Sequence, residues 1–270
     1  MVGRFIVSSR EKAEKKLLRR EKAYETERLM REKRSEEYQV IEEVFDRATL
    51  MAIYNLMNKG LIDEIHGVVS AGKEARIYWG KNREGKEIAI KIYLTTSAEF
   101  KKGMLPYIEG DPRFSHVRRD TRSLIYVWAQ KEFKNLLRAR GAGVRVPEPV
   151  VVEKNVLIME FIGKDGVRAP LLKETTLRDP ERVFRLLLTY LKRLYYKGGM
   201  VHADLSEYNI MVWRAKPVIF DVAQSVLIEH PMADMFLRRD IENLHNYFKR
   251  LIVDMLSIEK IYGRVTGGRH

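Results

Sequence analysis

Hydrophobic positions change period several times along the chain, and those changes predict its elements. Between residues 40 and 56, Ile41, Val44, Phe45, Ala48, Met51, Ala52 and Leu56 recur at helical spacing, and Gly60 supplies a stop. The period then becomes two. Residues 65–70, 75–80 and 87–93 read as strands, joined by turns at 71–74 and 82–85. Residues 95–122 are polar and carry Gly103, Pro106, Gly110 and Pro112, so a long flexible loop is expected there. Its Arg113, Arg118, Arg119 and Arg122 could meet a polyanion. A helical pattern returns at 127–137, with Trp128, Phe133, Leu136 and Leu137 available for packing. An apolar strand follows at 156–162 and ends at Gly163. Asp179 and Pro180 open a helix whose stripe of Phe184, Leu187, Leu188, Leu191, Leu194 and Tyr195 runs to Gly198 and Gly199. A last helix carries Leu237, Ile241, Leu244, Phe248, Leu251 and Met255, a pattern of core packing without chemistry. Ahead of all this, residues 10–37 interleave opposite charges without Gly or Pro. They suit a solvated helix docking little apolar surface, with an RNA-contacting arm as the functional alternative.

Composition narrows the class. A chain of 270 residues, 45% hydrophobic and 32% charged, is globular and long enough to bury a substantial core. A net charge of +13 points to a polyanionic partner, nucleic acid before membrane. No cysteine is present, which excludes disulfides and thiolate zinc sites. No apolar run reaches the roughly 18 residues of a membrane span, and residues 1–10 have too little apolar length for a secretory signal. A cytoplasmic protein is expected. The histidines other than His202 lack metal-ligand spacing.

The chemistry concentrates between residues 201 and 221. His202, Asp204 and Asn209 follow the H-x-D-x-x-x-x-N spacing of a phosphotransfer loop, and Asp221 ends a short apolar run twelve residues later. One carboxylate must accept or orient a hydroxyl proton, while an amide oxygen and a second carboxylate hold magnesium against phosphates. Asp204 suits the first task, and Asn209 and Asp221 the second. Lys91 lies inside an apolar strand, where a charge is costly unless paired. In a kinase such a lysine meets the α- and β-phosphates and a helix glutamate, for which Glu132 is the candidate. Residues 67–73 match G-x-x-x-x-G-K, but Glu74 replaces the Ser/Thr of a Walker loop and a strand follows instead of a helix. A phosphate flap fits better, with Gly72 letting the backbone approach and Ser70 and Lys73 donating hydrogen bonds. Met159, Glu160 and Phe161 end the strand where a kinase joins its lobes, and backbone groups of Glu160 and Phe161 are expected to face an adenine edge.

Together the segments S-A-G-K-E-A, I-K-I-Y, W-A-Q-K-E-F-K-N-L, M-E-F-I-G, V-H-A-D-L-S-E-Y-N and F-D-V-A-Q-S-V resemble the RIO family of atypical protein kinases, its first subfamily most closely. The resemblance implies an α+β, two-lobed protein-kinase-like fold. A small, mostly antiparallel β N-lobe with extra N-terminal helices would occupy 40–161 after a charged extension at 1–39, and a helical C-lobe 162–270. It also implies ATP and Mg2+ (or Mn2+), a serine/threonine substrate or ATP hydrolysis, and work on the pre-small-subunit ribosomal particle and its RNA. Asp221 becomes a candidate aspartyl-phosphate acceptor. Ala71 and Ala223 depart from the family pattern, each losing a hydroxyl near phosphate, which implies tuned affinity. Two other readings stand beside this one: an RNA-binding assembly factor that uses ATP as a conformational switch, and a small-molecule phosphotransferase of the aminoglycoside type.

Overall fold

A computed structural model describes residues 45–95, 98–114 and 120–267. The expected charged helix at 10–37 and the start of the helix expected from residue 40 lie outside the described residues. The described residues from Arg47 onward form one compact unit.

Helix α1 (Arg47–Asn58) buries Thr49, Ala52, Ile53 and Leu56. It docks through polar contacts as well: Asn55 Nδ2 donates to Glu153 Oε1 at 2.9 Å, and buried Asn155 bonds Thr49 and, at 2.8 Å, the Tyr93 carbonyl. Strands β1 (Glu64–Ala71), β2 (Ala75–Lys81), β3 (Glu87–Tyr93), β4 (Pro149–Glu153) and β5 (Val156–Glu160) form one antiparallel sheet in the order β1-β2-β3-β5-β4. Central strand β3 is buried from Ile88 to Tyr93 on both of its faces. That explains its unbroken apolar run and makes Lys91 the exception within it.

Residues 95–122 depart from the expected loop. Helix α2 (Ala98–Ile108) and a 3-10 turn (Pro112–Phe114) occupy much of that stretch. Gly103 and Pro106 are poor helix formers, yet Met104 and Tyr107 between and beyond them are buried, and Tyr107 packs against Trp128 and Phe236. Tertiary burial overrides the local propensity. Helix α3 (Thr121–Gly141) follows, its first turn capped by the Asp120 side chain on Ser123 N at 2.9 Å. It buries Trp128, Ala129, Leu136 and Ala139, and with them Lys131, Glu132 and Asn135.

The C-terminal half is built on helices. A short ribbon, β6 (Gly163–Lys164) with β7 (Val167–Arg168), lies just past β5. Gly163 is required there, since a β-carbon would run into the Val167 carbonyl and the Phe161 ring. Helix α4 (Pro180–Tyr196) is capped by Asp179 and buries Val183, Phe184, Leu187, Tyr190, Leu191 and Leu194. Gly199, at φ +56°, turns the chain into β8 (Met200–Val201), which pairs with β11 (Val226–Leu227). Between them, β9 (Ile210–Trp213) and β10 (Lys216–Ile219) form a hairpin. Helix α5 (Ala233–Phe248) is shorter than expected. It stops at Phe248, leaving Leu251 exposed while Ile252 turns inward, and Ser257 caps a separate helix α6 (Ile258–Thr266). The apolar period continues through 251 and 255, but the helix ends at 248 in a turn, bonded to the Phe248 carbonyl by Leu251 N and Ile252 N, that buries Ile252 instead.

Candidate active site

The helical half and the sheet meet around Lys91. Its ammonium lies 2.8 Å from Glu132 Oε1 and 2.8 Å from Asp221 Oδ1, so one strand residue ties α3 to the loop after β10. Tyr93, on the same face of β3, donates its hydroxyl to the other oxygen of Glu132. Burial opposes the Lys91 charge, but Asp221 and Glu132 outweigh it and hold the ammonium well above its ordinary range. For Asp221, desolvation would raise the carboxyl, and Lys91 overcomes it, so the group is held below the ordinary carboxylate range. Its side chain keeps 47% of its surface open, so it faces the cleft while bonded to the lysine. Burial raises Glu132, with Lys91 and Tyr93 only partly offsetting it.

Asp204 lies on the loop between β8 and β9. Asn209 donates both amide hydrogens to it, to the backbone carbonyl at 2.7 Å and to Oδ2 at 2.9 Å. The oxygen of Asn209 is therefore the end of that amide able to coordinate a cation. Burial raises the Asp204 carboxyl, Asn209 pulls it down, and the Asp221 charge adds to the rise, leaving it above its ordinary value. His202 is fully buried, its Nε2 3.3 Å from the Phe220 carbonyl, and burial lowers it to about 4. It is a neutral strut.

Three residues of α5 hold this loop, and the sequence reading passed over all of them. Asp240 accepts from Ala203 N at 2.8 Å and Leu205 N at 2.7 Å, Arg239 donates to the Ala203 carbonyl, and Asn243 donates to the Leu205 carbonyl at 3.1 Å. These contacts fix Ala203 at φ +70°, beside Asp204. A signal was present: Asp240 sits one residue before Ile241 and three after Leu237, which puts a carboxylate on the core face of α5. The helix is thus more than packing. Burial pushes Asp240 up to about 7, with the two backbone N–H bonds pulling the other way.

The remaining candidates line the cleft. Ser70, Gly72, Lys73 and Met159 surround Lys91 and Asp221. Glu74 joins them from the same turn, its carboxyl raised by burial and by the Asp221 charge, and sequence reasoning assigned it no role. Glu160 and Phe161 line the adjoining part with Asn209 and Tyr208. Of the Glu160 and Phe161 backbone groups expected at an adenine edge, the Glu160 N–H is already taken. It donates to the Glu148 carbonyl at 2.8 Å, because β4 runs alongside, and the carboxylate forms a two-point pair with Arg145 at 2.8 and 2.7 Å. Ala223 lines the cleft without a hydroxyl, and its carbonyl is taken by Lys131.

Among the described residues no group of three or more His, Cys, Asp or Glu side chains could hold a metal ion. Magnesium does not require one, since it is commonly held by one or two protein oxygens, with phosphates and water completing its shell. The Asn209 and Asp221 oxygens fit that demand.

A five-stranded antiparallel sheet whose buried lysine pairs with a helix glutamate, set over an H-x-D-x-x-x-x-N loop, defines a protein-kinase-like phosphotransferase. The family model described as the RIO domain matches residues 76–261, and the chain belongs to the RIO family. It is 40% identical over 238 residues to the RIO-type serine/threonine-protein kinase Rio1 of Haloferax volcanii, covering 88% of this chain and 81% of that one. Against the Rio1 kinase of Methanocaldococcus jannaschii it is 39% identical, covering 94% and 87%. These relatives place it with the serine/threonine kinases of the Rio1 type. The solved Rio2 kinase of Chaetomium thermophilum, captured as an ADP/Mg2+-phosphoaspartate complex, shares the fold. Its TM-score is 0.61 at 21% identity, with 79% of this chain and 65% of that one covered. No helix among the described residues is long and apolar enough to cross a membrane.

Proposed function

We propose that the protein transfers the terminal phosphoryl group of ATP, with Mg2+ (or Mn2+), to a serine or threonine hydroxyl or to water, and that it does so on precursors of the small ribosomal subunit. The bridging of Lys91 to both Glu132 and Asp221 at 2.8 Å carries this reading, because it aligns strand, helix and metal loop around one cleft. In this reading Lys91 meets the α- and β-phosphates, and the turn bearing Ser70, Gly72 and Lys73 covers them. Met159 and Phe161 flank the base. Asp204, its carboxyl raised by burial, takes the acceptor proton as the acceptor oxygen attacks phosphorus and ADP departs. Asn209 and Asp221 would hold the magnesium, which neutralises charge developing on the phosphates. Asp221 is also the candidate acceptor of an aspartyl phosphate, a group that the Rio2 kinase carries in its ADP/Mg2+ complex. The net charge of +13 supports a ribosomal-precursor RNA as the partner.

Single-turnover reaction with γ-labelled ATP, with and without small-subunit precursor particles, tests the proposal. Asp204→Ala should lower turnover by at least about a hundredfold while leaving magnesium-nucleotide binding largely intact. Asp221→Asn should lose both. Turnover retained in both variants would sink the reading. Acid-stable label on protein hydroxyls identifies kinase output. Base-labile label that disappears in Asp221→Asn, with free phosphate rising when particles are added, identifies an ATPase.

A further inference from the structure

Two buried polar residues of α3 have no part in the chemistry above. Lys131 and Asn135 are each 1% exposed. Lys131 Nζ donates to the Ala223 carbonyl at 2.9 Å, and Asn135 Nδ2 donates to the carbonyls of Val222 at 2.8 Å and Ser225 at 3.3 Å. Those carbonyls belong to the 3-10 turn Val222–Gln224 and the residue capping it, directly after Asp221.

A buried amine bonded to a backbone carbonyl has given up its hydration for a dipole, where an apolar side chain of similar length would fill the space at lower cost. The turn it holds offers a reason. Asp221 adopts φ +56° and ψ +58°, a left-handed conformation that a residue with a β-carbon resists. Such a conformation persists where the surroundings over-determine it, and here three carbonyl contacts come from one helix. The amide of Asn135 is itself fixed. Its Oδ1 accepts from Arg113 Nη1 at 2.9 Å, and Arg113 is clamped on Asp111 by Nε at 2.8 Å and Nη2 at 2.6 Å. With the oxygen so engaged, Nδ2 can only face the turn.

We propose that Lys131 and Asn135 are positioning residues that hold the backbone behind Asp221, so that its carboxylate is presented to the cleft in the geometry magnesium requires. Glu132 acts on the Asp221 side chain through Lys91; its neighbours act on the Asp221 backbone. The inference deepens the phosphotransfer reading and rests on Asp221 being a magnesium ligand.

The test compares Lys131→Met and Asn135→Leu, which remove the donors to the turn at similar side-chain length (the second also removing the acceptor of Arg113), with Val265→Ala, a buried truncation on α6 that makes none of these carbonyl contacts. For each, the affinity for a non-hydrolysable ATP analogue is measured by calorimetry in magnesium and in EDTA, together with the melting temperature of the ligand-free protein. Loss of positioning predicts about a tenfold weakening in magnesium for Lys131→Met and Asn135→Leu. Affinity in EDTA should be little changed. Val265→Ala should melt earlier while keeping the wild-type gain from magnesium. If the α3 variants lose affinity equally in both conditions, or behave like Val265→Ala, the two residues are packing and the inference is overturned. A wild-type protein that gains nothing from magnesium removes the phosphotransfer reading and this inference with it. A normal magnesium gain in wild type, unchanged in the α3 variants, removes the inference alone.

Discussion

His202 and Asp240 are buried titratable groups on either side of the same loop, and their effects on stability oppose each other. His202 is lowered by burial to about 4, so the unfolded chain takes up a proton below its ordinary value near 6.5 that the folded chain refuses. Its contribution, full at neutral pH, is lost as pH falls through that window. Asp240 is raised to about 7, so the folded chain binds a proton that the unfolded chain, with an ordinary value near 3.8, does not. Its contribution grows as pH falls from about 7. Between pH 7 and 5 each is worth about 2 kcal/mol, with opposite sign. Wild-type stability should therefore be nearly flat with respect to these two groups. Urea unfolding at both pH values separates them: relative to wild type, His202→Gln should gain on acidification and Asp240→Asn should lose. Parallel behaviour of all three proteins would refute the assignment. At this scale the candidate catalytic residues were legible because their spacing is chemical. Phosphotransfer as proposed needs Asp204, Asn209 and Asp221 at fixed separations, whereas Asp240 and Lys131 act through backbone groups. The position of Asp240 on the core face of α5 announces its burial but not its partners.

At the scale of elements, two helices each grip one acidic loop. Helix α5 holds the loop of Asp204 through Arg239, Asp240 and Asn243, and α3 holds the turn after Asp221 through Lys131 and Asn135. Removing Asp240 leaves two buried N–H groups without their acceptor. Asp240→Ala is expected to cost about 2–5 kcal/mol and to lower turnover with little change in nucleotide affinity, as chemical denaturation and binding would show. Strands β1 to β3 and helix α4 were readable because their β-branched and apolar runs, the turn residues between them and the Asp179 cap agree with their tertiary setting. Helix α2 was not, because Gly103 and Pro106 argue locally for a loop and only burial of Met104 and Tyr107 argues otherwise. Apart from Glu132, the polar residues on the core faces of α3 and α5 were missed for a related reason. A period of apolar residues assigns charged positions to solvent, although Lys131 and Asp240 both point inward.

For the whole molecule, the net charge of +13 bears on solubility and association rather than on the fold. If the proposed RNA partner is right, affinity for small-subunit precursor RNA should fall at least about tenfold between 50 and 200 mM salt. The same titration with Asp204→Ala should give an unchanged slope, since phosphate contacts and phosphotransfer are separate tasks. Binding insensitive to salt would argue against an RNA surface.

Lys131 and Glu132 are consecutive, which places them about 100° apart around the axis of α3. One reaches down to a carbonyl of the turn after Asp221 and the other across to the strand lysine. Both contacts are already at hydrogen-bond distance, so rolling the helix either way would lengthen them together. The grip on the Asp221 side chain and the grip on its backbone therefore share one seated angle of the helix. A push on either end of this 21-residue shaft would be felt at the cleft without any contact there.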